Sequence, residues 1–315
     1  MLPMAAQAEI SPSAEAQPIV VRDDLGEHEF AKRPTRPAVL QWDLLENVVG
    51  LGIQPAGACD IASWDAWVKD PKLPQGIVDL GTRAEPNLER IAKLAPDVIL
   101  IGPTQADLKP TLESIAPVLL YGNFRADAPE NEAETAIRQF RELARLFGRE
   151  AWGEAEVARW LSEVDRMGQR IHEAFGGAPQ VQVIRFSSLT TLFVYAPNSI
   201  ADWVIRRMGL RQPLLRPSSA YGLTQVRIRA LKNLEEAYVL YVRPFAQEEK
   251  LMKSILWCAT PFARKGRTAP VAPYWSHGGA PSILTTASRI TEALLTLAPN
   301  RGAGSANMHD RGGAS

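Results

Sequence analysis

Short apolar runs alternate with segments of helical period along most of the chain. "AVLQW" (38–42) predicts a strand, and the helical "DLLENVVGLG" that follows ends on Gly50 and Gly52. "AGACD" and "GIVDLG" predict two more strands, with the long loop "IASWDAWVKDPKLP" between them. In "IVDLGTRAEPNLERIAKLAPDVIL" (77–100) a strand leads through a loop into a helix. Pro86 suits its first turn, Leu88, Ile91 and Leu94 share a face, and Pro96 ends it before the buried strand "DVILIG". A helix "LKPTLESIA" and a strand "PVLLYG" complete this half, and a hairpin is expected earlier in "IVVRDDLGEHEFAKRP". Strands alternating with helices in this way predict an α/β lobe with a largely parallel sheet.

From 131 the rhythm changes. Ile137, Phe140, Leu143 and Ala144 mark one helix. Val157, Trp160, Leu161, Val164, Met167, Ile171 and Phe175 then recur at steps of three and four, which predicts a single long helix over 153–175, stopped by "GGAP". Strand and helix signals resume in "VQVIRF", "LFVYAP", a helix over 199–208, "AYVLYV", a helix around "EKLMKSILW", a strand near "PVAPYW" and a last helix over 281–297. The predicted fold class is α/β: two α/β lobes joined by a single long backbone helix, with a ligand cleft between them. The expected division is an N-terminal export remnant and hairpin (1–36), an N-lobe (37–130), a helical linker (131–176), a C-lobe (177–297) and a disordered Gly/Ser-rich tail (298–315).

Charge narrows the function classes. Lys and Arg number 35 and Asp and Glu 35, for a formal net charge of +0 and no basic cluster, which argues against nucleic acid or an anionic membrane as partner. No apolar run is long enough to span a bilayer. Cys59 and Cys258 leave a disulfide and free thiols both open. "AQA", ending at Ala8, has the small-x-small form of a signal-peptidase site but lacks the charged and apolar regions that precede one. A trimmed export signal and an ordinary cytosolic N-terminus both fit.

The chain carries no G-x-S-x-G, H-E-x-x-H, Walker loop or C-x-x-C. "GLGIQPAG" has its glycines at the end of a helix, the reverse of a dinucleotide site, and "SHGGAP" reads as a glycine turn before the last helix. His28, His172, His277 and His309 are isolated in sequence, so no protein-ligated metal is expected. What remains is a set of loop residues at strand ends: Trp42, Trp64, Trp67, Arg83, Gln105, Tyr221, Trp275 and His277. Aromatic walls with a few polar groups at such positions describe a small-molecule cleft.

"DLGTRAEPNLE", with "AVLQWDLLENVVGLG", "YAPNSIADWVIRRMGL", "YGLTQVRIRAL" and "PYWSHGGAPS" in the same order, resembles the periplasmic ferric-hydroxamate siderophore-binding proteins of bacterial ATP-driven iron uptake. The resemblance covers about residues 36–297 and implies two lobes on one backbone helix. It implies that Arg83 donates to hydroxamate oxygens, that Trp67, Tyr221 and Trp275 are aromatic pocket positions, and that Gln105 and His277 replace two family tyrosines. Those replacements point to a smaller, more polar or mixed carboxylate–hydroxamate ligand. The resemblance further implies no intrinsic cofactor, Fe(III) bound only as its siderophore complex, and an inner-membrane ABC permease as partner, docked through Glu46 and, more weakly, Asp202. It implies a monomer in the periplasm. A same-fold carrier of cobalamin, haem or a ferric catecholate, and a hydrolase built on His277 and the glycine turn, are the competing expectations.

Overall fold

In the computed structural model, which describes residues 18–68, 70–123 and 130–299, the chain opens on the expected hairpin, β1 (Ile19–Arg22) paired antiparallel with β2 (Glu27–Phe30). Its turn is fastened to the first lobe by carboxylates: Leu120 N donates to Asp23 Oδ2 (2.8 Å) and Gly122 N to Asp24 Oδ2 (2.6 Å). "AQA", His309 and the Gly/Ser-rich tail from 300 onward lie outside the described residues.

The first lobe follows the alternation read from the sequence: β3 (Pro37–Val39), α1 (Trp42–Gly50), β4 (Gly57–Ala58), α2 (Trp64–Trp67), β5 (Val78–Asp79), α3 (Leu88–Leu94), β6 (Val98–Ile101), α4 (Lys109–Glu113) and β7 (Val118–Leu120). Its sheet is wholly parallel, in the order β5-β4-β3-β6-β7. β3 and β6 are buried throughout because helices cover both faces, and for that reason they read as unbroken apolar runs. The supposed long loop at 61–74 contains α2 and a preceding 3-10 turn.

Two helices follow, α5 (Glu132–Phe147) and α6 (Glu150–Phe175). α6 is 26 residues long and begins three residues before the expected start. Gly148 and Gly176 end the two helices with φ of 66° and 72°, the left-handed backbone that glycine adopts without strain.

The second lobe contains β8 (Val181–Phe186), β9 (Thr191–Tyr195), α7 (Ile200–Arg207), β10 (Leu223–Arg227), β11 (Tyr238–Val242), α8 (Glu248–Met252), α9 (Ile255–Cys258), α10 (Pro261–Arg264), β12 (Thr268–Val271) and α11 (Pro281–Leu295). The order is β10-β9-β8-β11-β12, parallel on the β11–β12 side and antiparallel through β9 and β10. The single helix expected around "EKLMKSILW" is two, divided at Ser254, whose hydroxyl accepts from Trp257 N and starts α9. One apolar core runs without a break from Leu44, Leu45 and Val48 of α1 through Phe140 and Trp160 to Ile283 and Ile290 of α11, so the joint between the lobes is itself core.

Candidate ligand-binding cleft

Each sheet reverses its order at one strand: β3 lies between β4 and β6, and β8 between β9 and β11. Open α/β sheets hold ligands beyond the carboxyl ends of strands at such a reversal. Here Gln41, Trp42 and Asp43 follow β3, and Pro103 and Thr104 follow β6. With Arg83, Tyr221, Trp275 and His277 they line a cleft of about 290 Å³. A larger groove of about 540 Å³ against α5 is lined by ions already paired with one another, among them Arg138–Glu130 and Arg141–Glu154, and is a solvated surface.

Arg83 is fixed before any ligand arrives. Asp60 Oδ2 accepts both its backbone N–H (3.1 Å) and its Nε–H (2.7 Å), and Gln105 Nε2 donates to its carbonyl (2.7 Å). Asp60 holds this position with a left-handed backbone, φ 55°, which aspartate tolerates better than most residues. The guanidinium carbon lies over Trp42, 4.0 Å from the ring centroid, and over Trp275 at 5.2 Å. Its Nη–H donors have no acceptor among the described residues.

The aromatic residues stack edge to face. Trp42 meets Trp64 at 5.6 Å and Trp275 at 4.9 Å, Trp275 meets Trp67 at 6.2 Å and His277 at 5.8 Å, and His277 meets Tyr221 at 5.9 Å. Burial, helped by the charges of Arg185 and Arg83, holds the His277 imidazole down at about 4, so it is neutral at neutral pH. Burial pushes the Asp43 carboxyl up to about 7, with its own and Leu44's backbone N–H bonds and then Arg83 pulling it back.

Of the eight predicted cleft residues, Trp42, Arg83, Tyr221, Trp275 and His277 come together on the lining. Trp67 stands beside them against Trp275. Two need correction. Trp64 is fully buried, its indole N–H is given to Pro71 O (2.9 Å), and it supports Trp42 from behind. Gln105 is 1% exposed, and its Oε1 accepts from Gly102 N (2.9 Å) while Nε2 holds Arg83, so it positions the arginine from behind the cleft wall. The two predicted docking acids are corrected likewise. Glu46 is fully buried and accepts from Gly279 N (2.9 Å) and Ser282 Oγ (2.8 Å), capping the start of α11 from the other lobe. Asp202 is 1% exposed, bonded by Arg206 Nε (2.8 Å) and Gln212 Nε2 (3.0 Å). A carboxyl group enclosed in this way offers no surface to a partner.

The "SHGGAP" turn is explained by the same joint. A Cβ on Gly279 would run into Asn47 Oδ1 and Asp43 O, and two of the turn's N–H groups are taken: Gly279 N by Glu46, Ala280 N by Asn47 Oδ1 (2.8 Å). Donors so occupied cannot form an oxyanion hole. Among the described residues no cluster of three or more His, Cys, Asp or Glu could hold a metal, and no helix is long and apolar enough to cross a membrane. Sequence reasoning passed over Asp60, Asp43 and Arg185. The signal for the first two was their place within a few residues of the ends of β4 and β3, at the carboxyl edge of the sheet.

The profile of the periplasmic binding proteins matches residues 38–269. The chain belongs to that family. The binding protein is also similar to the siderophore-binding protein FhuD of Vibrio cholerae, solved with Fe3+–Desferal bound: 44% identity over 84% of this chain and 99% of that one, with a TM-score of 0.81. The iron(3+)-hydroxamate-binding protein FhuD of Escherichia coli K12 is 26% identical over 80% of this chain and 84% of its own length. Staphylococcus aureus FhuD2, solved with ferrioxamine B, shares the fold at 18% identity, with a TM-score of 0.63 over 84% and 99% of the two chains.

Proposed function

We propose that the protein captures a ferric siderophore, hydroxamate or mixed carboxylate–hydroxamate, in the periplasm and hands it unchanged to an ABC importer. Arg83 carries this reading. Fe(III) already saturated by siderophore oxygens needs no protein ligand, only donors for those partly anionic oxygens, and the Nη–H groups of a preset guanidinium between indole faces supply them. The family and the likeness to two ferric-hydroxamate binders support the same cargo class.

Quenching of tryptophan fluorescence on titration with ferric desferrioxamine B tests it, since Trp42 and Trp275 line the cleft. Submicromolar binding is expected. Arg83→Ala, which removes two or more charge-assisted hydrogen bonds, should weaken it by roughly 10- to 100-fold. If no ferric hydroxamate binds at micromolar concentration and the alanine variant behaves as the parent, the proposal is wrong. Recovery of an altered siderophore would point instead to an enzyme.

A further inference from the structure

A second guanidinium stands beside the cleft lining, against Trp67. Arg185 is at the carboxyl end of β8, the strand at which the second sheet reverses its order, as β3 does in the first. Its guanidinium carbon lies 5.0 Å from the ring centroid of Trp67, a residue of the opposite lobe. Trp67 meets Trp275, and Trp275 faces Arg83. The row Arg83, Trp275, Trp67, Arg185 therefore crosses from lobe to lobe with a cation at each end. The two cations differ in one respect. Arg83 is balanced by Asp60 at 2.7 Å, whereas Arg185, itself half-buried, has no carboxylate within ion-pair distance among the described residues. Its charge is felt inside the cleft, where it acts on His277 more strongly than Arg83 does. A half-buried guanidinium with no paired carboxylate keeps its charge and its donors available to an anion.

We propose that Arg185 makes the cleft selective for ferric siderophores that carry a carboxylate outside the iron-chelating core, with Arg83 donating to the core and Arg185 to the carboxylate. This rests on the siderophore reading of the cleft. The structure thereby assigns a charge class to the ligand, net anionic over neutral or cationic.

Two ligands that share one chelate test it: ferric desferrioxamine B, with a pendant ammonium, and its ferric N-succinyl derivative, with a pendant carboxylate. The parent protein should bind the succinyl complex about tenfold more tightly at low salt. Arg185→Gln should remove that preference while changing ammonium-complex affinity less than about twofold, and Arg185→Lys, which keeps the charge, should retain part of it. Raising the salt to about 0.5 M should shrink the preference in the parent protein itself, a readout that needs no variant to fold. Equal affinity of the parent for both complexes, or equal loss of both in Arg185→Gln, overturns the proposal and leaves the siderophore reading intact. Binding of neither complex overturns both.

Discussion

Glu46→Gln isolates what a buried acid at the joint costs the fold. The carboxyl is pushed up to about 8, first by burial, while bonds from Ser282 and Gly279 pull it down and the neighbouring Asp43 raises it further. In the unfolded chain it titrates near 4.5, so between these two values the folded protein holds a proton that the unfolded chain has released. The sign follows: the associated stability is complete below about pH 4.5, declines as pH rises, and is fully lost above about 8. At about 1.4 kcal/mol per pH unit, the window from pH 5.5 to 8 corresponds to roughly 3 kcal/mol. Asp43, raised to about 7, steepens the same slope. A glutamine can still accept from Gly279 N and donate to Ser282 Oγ, but it does not titrate. Urea unfolding followed by tryptophan fluorescence at pH 5.5, 7 and 8.5 should show a flatter pH dependence for Glu46→Gln by about that 3 kcal/mol, with the variant more stable than the parent at pH 8.5. Parallel pH profiles for the two proteins would refute the assignment of the cost to Glu46.

Gln105→Ala strands the buried Gly102 N–H and the half-buried Arg83 carbonyl, and should cost about 1–3 kcal/mol of stability while weakening siderophore binding about tenfold. Thermal unfolding beside titration decides it, because lost affinity with unchanged stability would make Gln105 a direct ligand contact. Cys258 is exposed, and Cys59 is buried with its thiol pushed up to about 12 by burial and then by Asp60. A chromogenic thiol reagent should therefore titrate one thiol in the native protein and two in denaturant, and two in the native protein would contradict the burial of Cys59.

Where a segment's partner was its own neighbour in sequence, the pattern was enough to read it. The apolar face of α6 repeats on one helix, and β6 is apolar because any strand covered on both faces must be. Positions defined by remote partners were not legible. Glu46 sits on α1 between apolar residues as a solvated acid would, and only the fold brings the Gly279–Ser282 turn of the other lobe against it. Gln105 has the chemistry of a ligand donor, and its diversion to Arg83 depends on the packing of the 3-10 turn at 103–108 on the loop after β5. Arg185 was hidden because in "VQVIRF" it looks like one polar step in a strand, and β10 was missed because an edge strand such as "LTQVR" has too few apolar residues to announce itself. Arg83 itself was legible as an anomaly, a charged residue in a strand-to-helix loop with no acid beside it in sequence. Its acid, Asp60, comes from the preceding strand end.

The fastening of Arg83 also bears on how fast cargo is caught. A flexible arginine must be frozen at each encounter, and many collisions end before that happens. A side chain held by Asp60, by the carbonyl bond from Gln105 and by the face of Trp42 needs no such pause. The loss of freedom on binding then falls on the siderophore, and the rate of capture is left to diffusion. Discrimination among cargoes is left to the rate of escape, which suits a scavenger of a scarce metal: nothing is turned away slowly, and what fits is kept.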